Sequence, residues 1–300
     1  FWAVTSAALV KEASLQPLTF GNHYGMTMYD LPEEALEAVR NMMMFMDPPR
    51  HTRYRKLVNR EFMPRGAARW AAVIEGLADE IVDEVSEAGE CELMSQVAGL
   101  LPSYVVARLL GVPRADGVRL YELTEIMHSA QDSVTDEQRG AARAEMLQFG
   151  EELRAAKLRS PDGSLASELV RTELDGRQLN DVEFSFFVLL LVNAGGDTVR
   201  NLVGGGVLTL LANPEEMARL RADLTGLMPT AVEELLRYQS PVIYMRRTAM
   251  TDAQLGGADI ARGEKVLLYF GAANRDASVF PDPDRFLVDR TPNPHVGFGG

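Results

Sequence analysis

His51 and Arg55 stand four residues apart, so a helix over 50–62 puts both on one face, with Val58 and Phe62 continuing it. Two donors able to carry positive charge on an otherwise apolar face can grip a carboxylate or propionate in a cavity. A solvated basic helix is the competing reading. Ala194-Gly195-Gly196-Asp197-Thr198 lies in the most apolar helical stretch. Adjacent glycines cost a helix about 1 kcal/mol each relative to Ala, so they call for a reason. Close approach of a flat ligand is one, and local opening of the helix to admit water or oxygen is another. Tight packing on a neighbouring helix is the third. An acid followed by a hydroxyl suits the relay of protons into a dry pocket. Glu234 and Arg237, three apart, pair on one helical face. Most such pairs are exposed and contribute under about 1 kcal/mol. The Pro- and Asp-rich run 280–286 and the Gly-rich run 294–300 close the chain, the latter as an ordinary turn or the start of a cofactor loop.

These groups need elements to hold them. Residues 1–5 alternate like a strand, and Ser6 can cap a helix running to about Gln16. Asp47-Pro48-Pro49 can begin a helix but not sit inside one, which places the next helix at 50–62. Pro64 sits where another begins, and Trp70, Val73, Ile74, Leu77, Ile81 and Val85 form an amphipathic stripe that Gly89 ends. Helical spacing recurs near 94–110, 115–130, 136–159, 181–212, 214–224 and 229–238. Short β-like runs follow between Val242 and Phe270, broken by Gly256-Gly257 and Gly263. The order predicts a mainly α protein, an α-rich body with a small β region gathered from both chain ends.

The co-ordered motifs resemble those of the cytochrome P-450 family over essentially the whole chain. HTRxR after DPP corresponds to Asp47 through Arg55, AGxDT to Ala194 through Thr198, ExxR to Glu234 through Arg237 and the PDPxRF meander to Phe280 through Phe286. Phe298-Gly299-Gly300 opens the FGxGxHxCxG haem loop. The resemblance implies a single cytochrome P-450 domain over 1–300, truncated at both ends, that binds haem b (iron protoporphyrin IX). It assigns His51, Arg55 and Arg247 to the propionates, with Arg246 the lesser neighbour. Ala194 and Gly195 lie over the distal face, Phe298 and Gly299 belong to the cofactor loop, and Asp197 and Thr198 supply protons for the dioxygen chemistry. Glu234, Arg237 and Arg285 form a buried structural network. The cysteine ligand falls at the fifth position beyond Gly300, so no metal ligand is assigned within the sequence, and the 300 residues alone are expected to be inactive.

The implied activity is insertion of one oxygen atom from O2 into an apolar small molecule of sterol, terpenoid or fatty-chain type. A non-catalytic ligand-binding form of the same fold is the alternative, and Gly-x-His-x-Cys directly after Gly300 favours the enzyme. Substrate-facing positions are expected in 20–46, near 125–180 and at 242–245. Electrons are expected from NAD(P)H through a ferredoxin-type iron–sulfur redox partner.

A net charge of −13 excludes a general nucleic-acid binder, yet the segment 50–70 holds seven basic residues against the single acid Glu61. Arg53, Lys56 and Arg60 lie opposite His51 and Arg55 by helical spacing and suit docking of an acidic partner. The single cysteine, Cys91, excludes an internal disulfide and reads as a buried structural thiol. No run approaches the roughly 18 unbroken apolar residues of a membrane span, and no charged-then-apolar leader opens the chain, so a cytoplasmic location is expected.

Overall fold

The computed structural model describes residues 1–129 and 133–299, and helices carry most of them. β1 (Trp2–Val4) leads to α1 (Ala7–Ser14), which Ser6 opens by accepting the Leu9 N–H at 3.3 Å. β2 (Phe20–Gly21) and α2 (Glu33–Val39) flank a loop over 22–32. α3 (Arg50–Phe62) stops at Met63 because Pro64 begins α4 (Pro64–Ala67). α5 (Ala71–Ala88) ends on Gly89 at φ +77°, a conformation that favours glycine. A π turn at Met94–Ala98 enters α6 (Leu100–Leu110), followed by α7 (Arg114–His128) and α8 (Asp136–Arg159). Reciprocal capping between Thr135 and Gln138 starts α8. Then come α9 (Leu165–Leu169), the hairpin β3 (Glu173–Leu174) and β4 (Arg177–Gln178), and the long α10 (Asp181–Ala212). α11 (Pro214–Ala222) and α12 (Leu224–Gln239) precede β5 (Tyr244–Ala249), β6 (Ala253–Leu255), β7 (Ala258–Ile260), β8 (Lys265–Tyr269) and α13 (Phe270–Ala273).

The chain divides into two compact units, Phe1–Glu37 with everything from Asn201 onward, and Ala38–Arg200. In the first unit a four-stranded sheet has the order β1-β8-β5-β2. β1 runs parallel to β8 with Trp2 opposite Val266, so the small sheet does join residues from both ends of the sequence. β5 pairs antiparallel with β8, Arg246 opposite Leu267 and Thr248 opposite Lys265, and β2 closes the other side through Phe20 and Ala249. Val4, Val10, Phe20, Val266, Leu268 and Phe270 pack into one core on this sheet. Leu220, Ala231, Phe286 and Val288 form a second under the meander.

The second unit is helical, with α6 packed on α5, α7 and α9, and α8 on α7 and α9. Two crossings are close enough to require glycine. A Cβ at Gly150 of α8 would lie 2.7 Å from the Ser185 Cα of α10, and one at Gly117 of α7 would lie 2.5 Å from the Ser103 carbonyl oxygen of α6.

Several elements depart from the sequence expectation. α2, α9 and the β3–β4 hairpin are too short to carry a periodic signal. α12 begins at Leu224, five residues before Pro229, because the Asp223 carboxylate caps the Gly226 N–H at 2.9 Å. Cys91 is exposed, contrary to expectation, because it sits in the short connection after Gly89 has ended α5. Among the described residues α10 alone is a single helix long and apolar enough to cross a membrane, and over half of its most apolar window is buried in the protein.

Candidate functional site

Residues 50–62 form a helix because their apolar positions recur at helical spacing behind the Pro48-Pro49 start, and the buried face carries Tyr54 and Val58. His51 borders that face and is half-buried, whereas Arg55 and Phe62 are exposed. Burial chiefly, and then the charge of Arg55, lowers the His51 pKa below 6.5, with Asp47 opposing. His51 is therefore a neutral hydrogen-bonding imidazole at pH 7, and Arg55 supplies the positive charge.

The basic face is partly engaged within the protein. Arg53 pairs with Asp175 of the β3–β4 turn at 2.5 Å, while Lys56 and Arg60 are exposed. Beside it the Tyr54 hydroxyl donates to Glu183 at 2.6 Å, and Arg177 grips the same carboxylate at 2.6 and 2.7 Å. The Arg177 guanidinium and, after it, the Tyr54 hydroxyl hold the Glu183 carboxyl at about 2, against the opposing effect of burial. This cluster ties α3 to the hairpin and to the first turn of α10; Tyr54, Arg177 and Glu183 carried no sequence motif.

α10 is continuous through the double glycine, so the helix does not open there. Gly196 meets the Tyr121 ring of α7, its would-be Cβ 3.3 Å away, and Gly195 faces Val106 of α6 at 3.2 Å. Close packing thus accounts for the glycines inside this unit. Ala194 is exposed, Gly195 partly so, and Asp197 and Thr198 are half-buried. One turn beyond Asp197, Arg200 pairs with Glu125 at 2.7 Å and lies over the Tyr121 ring at 5.8 Å. Among the described residues the buried Tyr121 hydroxyl and Arg200 Nε meet no hydrogen-bond partner of good geometry. Burial first, then the Glu125 charge, drives the Tyr121 pKa up, so the phenol is a neutral donor at any ordinary pH. Arg200 stands three residues after Asp197, a spacing that could have drawn notice.

In the first unit Glu234 and Arg237 are fully buried and bidentate, at 2.7 and 2.8 Å. Arg237 also donates to the carbonyls of Asn274, Pro283 and Arg285 at 2.8, 2.7 and 3.0 Å. Arg285 takes part through its carbonyl alone; its guanidinium is 68% exposed and lies 3.9 Å from Asp282. This corrects the expected side-chain role. The second guanidinium on Glu234 comes from Arg290, at 3.0 Å, which in turn binds the carbonyls of Pro281, Asp282 and Arg285. Five residues farther along, Arg290 reaches the buried carboxylate while Arg285 faces water, and no motif marked it. Asn293 and the Leu287 N–H complete the shell of Glu234.

The same unit anchors the Gly-rich end. His295 meets Glu233 of α12 at 2.8 Å, and the Val296 N–H donates to the buried Asn274 side chain at 2.8 Å. Gly299 adopts φ +96° and Phe298 is 67% exposed; Gly300 lies outside the described residues. On β5, alternation sends Arg246 and Arg247 to opposite faces. Arg246 is buried against Asp30 at 2.7 Å, and Arg247 is half-buried with Nη1 donating to the Arg246 carbonyl at 3.1 Å. Among the described residues no cluster of His, Cys, Asp and Glu side chains could hold a metal ion. The donor set suits another kind of cofactor. In the helical unit a neutral imidazole beside an arginine, and an α10 surface bearing only a methyl group at the exposed Ala194, are of the kind that suits a flat group with anionic substituents, and Arg247 of the other unit is a half-buried cation of the same chemistry.

The buried Glu–Arg pair holding an irregular meander and the acid–alcohol pair on a long apolar helix are two of the motifs on which the resemblance to the haem-dependent P-450 oxidoreductases rests. The family model for cytochrome P450 matches residues 106–294, and the chain belongs to that family. It is 37% identical over its whole length to a methyl-branched lipid omega-hydroxylase of Mycobacterium tuberculosis, of which it covers 71%. It is 33% identical to a steroid C26-monooxygenase of Rhodococcus jostii, covering 64% of that protein. A solved Mycobacterium marinum cytochrome P450 in complex with pseudoionone superposes with a TM-score of 0.94 at 36% identity, over 100% of this chain and 74% of that one. The protein is therefore a monooxygenase-type enzyme, and its family uses haem and a redox partner that supplies electrons.

Proposed function

We propose that the complete enzyme hydroxylates an unactivated C–H bond at or near the end of a branched apolar chain, in a lipid, a terpenoid or a sterol side chain. The observation that carries this reading is the half-buried acid–alcohol pair Asp197–Thr198 on an unbroken helix, one turn beyond the exposed Ala194. The names of the relatives, a branched-lipid hydroxylase and a steroid monooxygenase, support the substrate class. Haem b supplies the oxygen-activating redox chemistry when bound. His51 and Arg55 would hold a propionate, the first by hydrogen bonding and the second by charge, and Arg247 would hold a propionate from β5. Ala194 and Gly195, with little or no side chain, would lie against the macrocycle, and Phe298 and Gly299 would belong to the cofactor loop. Asp197 collects a proton from the solvent side and Thr198 passes it inward through its hydroxyl. Glu234, Arg237 and Arg290 keep the meander in place and touch no reacting atom.

Electrons arrive from NAD(P)H through an acidic iron–sulfur ferredoxin that docks on Lys56 and Arg60, with Arg53 sharing its charge with Asp175. The two units belong to one catalytic domain, a reading supported by the family match, which runs across both. A cytoplasmic location fits a ferredoxin partner. The test is product analysis with the full-length holoenzyme, a ferredoxin system and a methyl-branched fatty acid. A terminal alcohol is the expected product, and no oxidised product from branched fatty acids, terpenoids or sterols would overturn the reading.

A further inference from the structure

The loop over 22–32 carries a single carboxylate, Asp30, among residues that otherwise bear no formal charge apart from the titratable His23. Five hydrogen bonds fasten this loop to the sheet through backbone atoms or Asp30 itself. The Arg246 N–H donates to the Met26 carbonyl at 2.8 Å, and the Met28 N–H donates to the Tyr244 hydroxyl at 3.2 Å. Lys265 Nζ donates to the Met28 carbonyl at 3.1 Å and to Asp30 Oδ2 at 2.6 Å. Arg246 Nη1 donates to Asp30 Oδ1 at 2.7 Å.

The Arg246 side chain is 4% exposed, and among the described residues Asp30 is the only carboxylate paired with it. Removing that carboxylate leaves the buried guanidinium, among the described residues, with the Thr248 hydroxyl at 3.3 Å as its remaining side-chain partner, so the loop and the strand hold each other in place. The two cations keep the Asp30 carboxyl below its ordinary range, Lys265 more than Arg246. Behind the loop the packing is incomplete. A cavity of about 430 Å³ lies between Tyr24, Leu31 and Leu36 on the loop side and Thr248, Met250 and Arg262 on the sheet side. The loop is therefore pinned at its charge and loosely packed around it, an arrangement that allows local opening if the pin is released.

We propose that Asp30 is a positioning residue that clasps the 22–32 loop onto β5 and β8 and so sets how fast an apolar substrate is admitted. This rests on the reading, given above, that the stretch 20–46 faces substrate. The clasp is tested in the full-length holoenzyme by amide hydrogen exchange of Asp30→Asn. Exchange over 22–32 should quicken by about tenfold while 244–249 stays protected. In the same variant the association rate of pseudoionone, followed by its haem difference spectrum, should rise several-fold. Lys265→Met, which leaves the Arg246 pair intact, should show smaller changes of the same sign and serves if Asp30→Asn fails to fold. Unchanged exchange in the loop overturns the clasp. Faster exchange with unchanged association and dissociation of the probe overturns its role in admission. A wild-type enzyme that gives no spectral response to pseudoionone or to branched fatty acids defeats the substrate reading instead, and the exchange data still decide whether the clasp exists.

Discussion

Glu234 accepts from two guanidiniums, an amide side chain and a backbone N–H while wholly out of water. Replacing a carboxylate so placed strands its partners. Glu234→Gln, which keeps the shape and removes the charge, should lower unfolding free energy by about 3–5 kcal/mol, read from urea denaturation. Thr198→Ala acts elsewhere. In the full-length enzyme it should leave fold and substrate binding intact, cut product formed per NAD(P)H by roughly tenfold or more and raise peroxide release. Unchanged coupling would remove the hydroxyl from the relay. At this scale the sequence was informative where side-chain chemistry repeats a pattern, as at Glu234–Arg237. It was silent on Arg290 and Tyr54, whose partners lie 56 and 129 positions away.

Elements are held together here by points of close approach and by buried charge. Gly150→Ala would force a methyl group to within 2.7 Å of the α10 backbone, and the crossing would have to separate. A loss of about 1–3 kcal/mol is expected, measured as a lower urea midpoint with an unchanged slope. The Tyr54–Glu183–Arg177 cluster that ties α3 to α10 makes a different prediction. Glu183 is held at about 2 in the folded protein against an ordinary 4.5, so its contribution is complete above pH 4.5 and is lost as pH falls towards 2. Wild type and Glu183→Gln should differ in stability near neutrality, by about 1–3 kcal/mol, and converge as the pH is lowered through that window. Long amphipathic helices such as α3, α5, α8 and α10 were legible because a three- to nine-turn period repeats enough to rise above accident. The hairpin at 173–178 and α9 were not, since tertiary contacts and not local preference decide so few residues.

For the whole molecule, charge asymmetry is the property that reaches farthest. The segment between Arg50 and Trp70 carries net +6 within a chain of net −13, and inside it Arg53 pairs with Asp175 and Arg69 with Glu61. Reversing both exposed charges, Lys56→Glu with Arg60→Glu, should slow reduction by an acidic ferredoxin by about tenfold at low salt. The gap should narrow as ionic strength rises, because such attraction is screened beyond roughly 10 Å at 0.1 M. Equal rates for the two proteins at all salt concentrations would move the docking surface elsewhere.

The pairing of Trp2 with Val266 has a further consequence, for biosynthesis. A ribosome adding about 5–20 residues per second needs roughly 13–53 s to make the partner of the first strand once that strand exists. During that interval residues 2–4 have a bare strand edge, and the 38–200 segment is synthesised in full. Translation thus imposes an order in which the helical interior of the sequence can mature while both halves of its companion are still waiting to meet, and a nascent chain stalled before residue 266 would present that unpaired edge to chaperones.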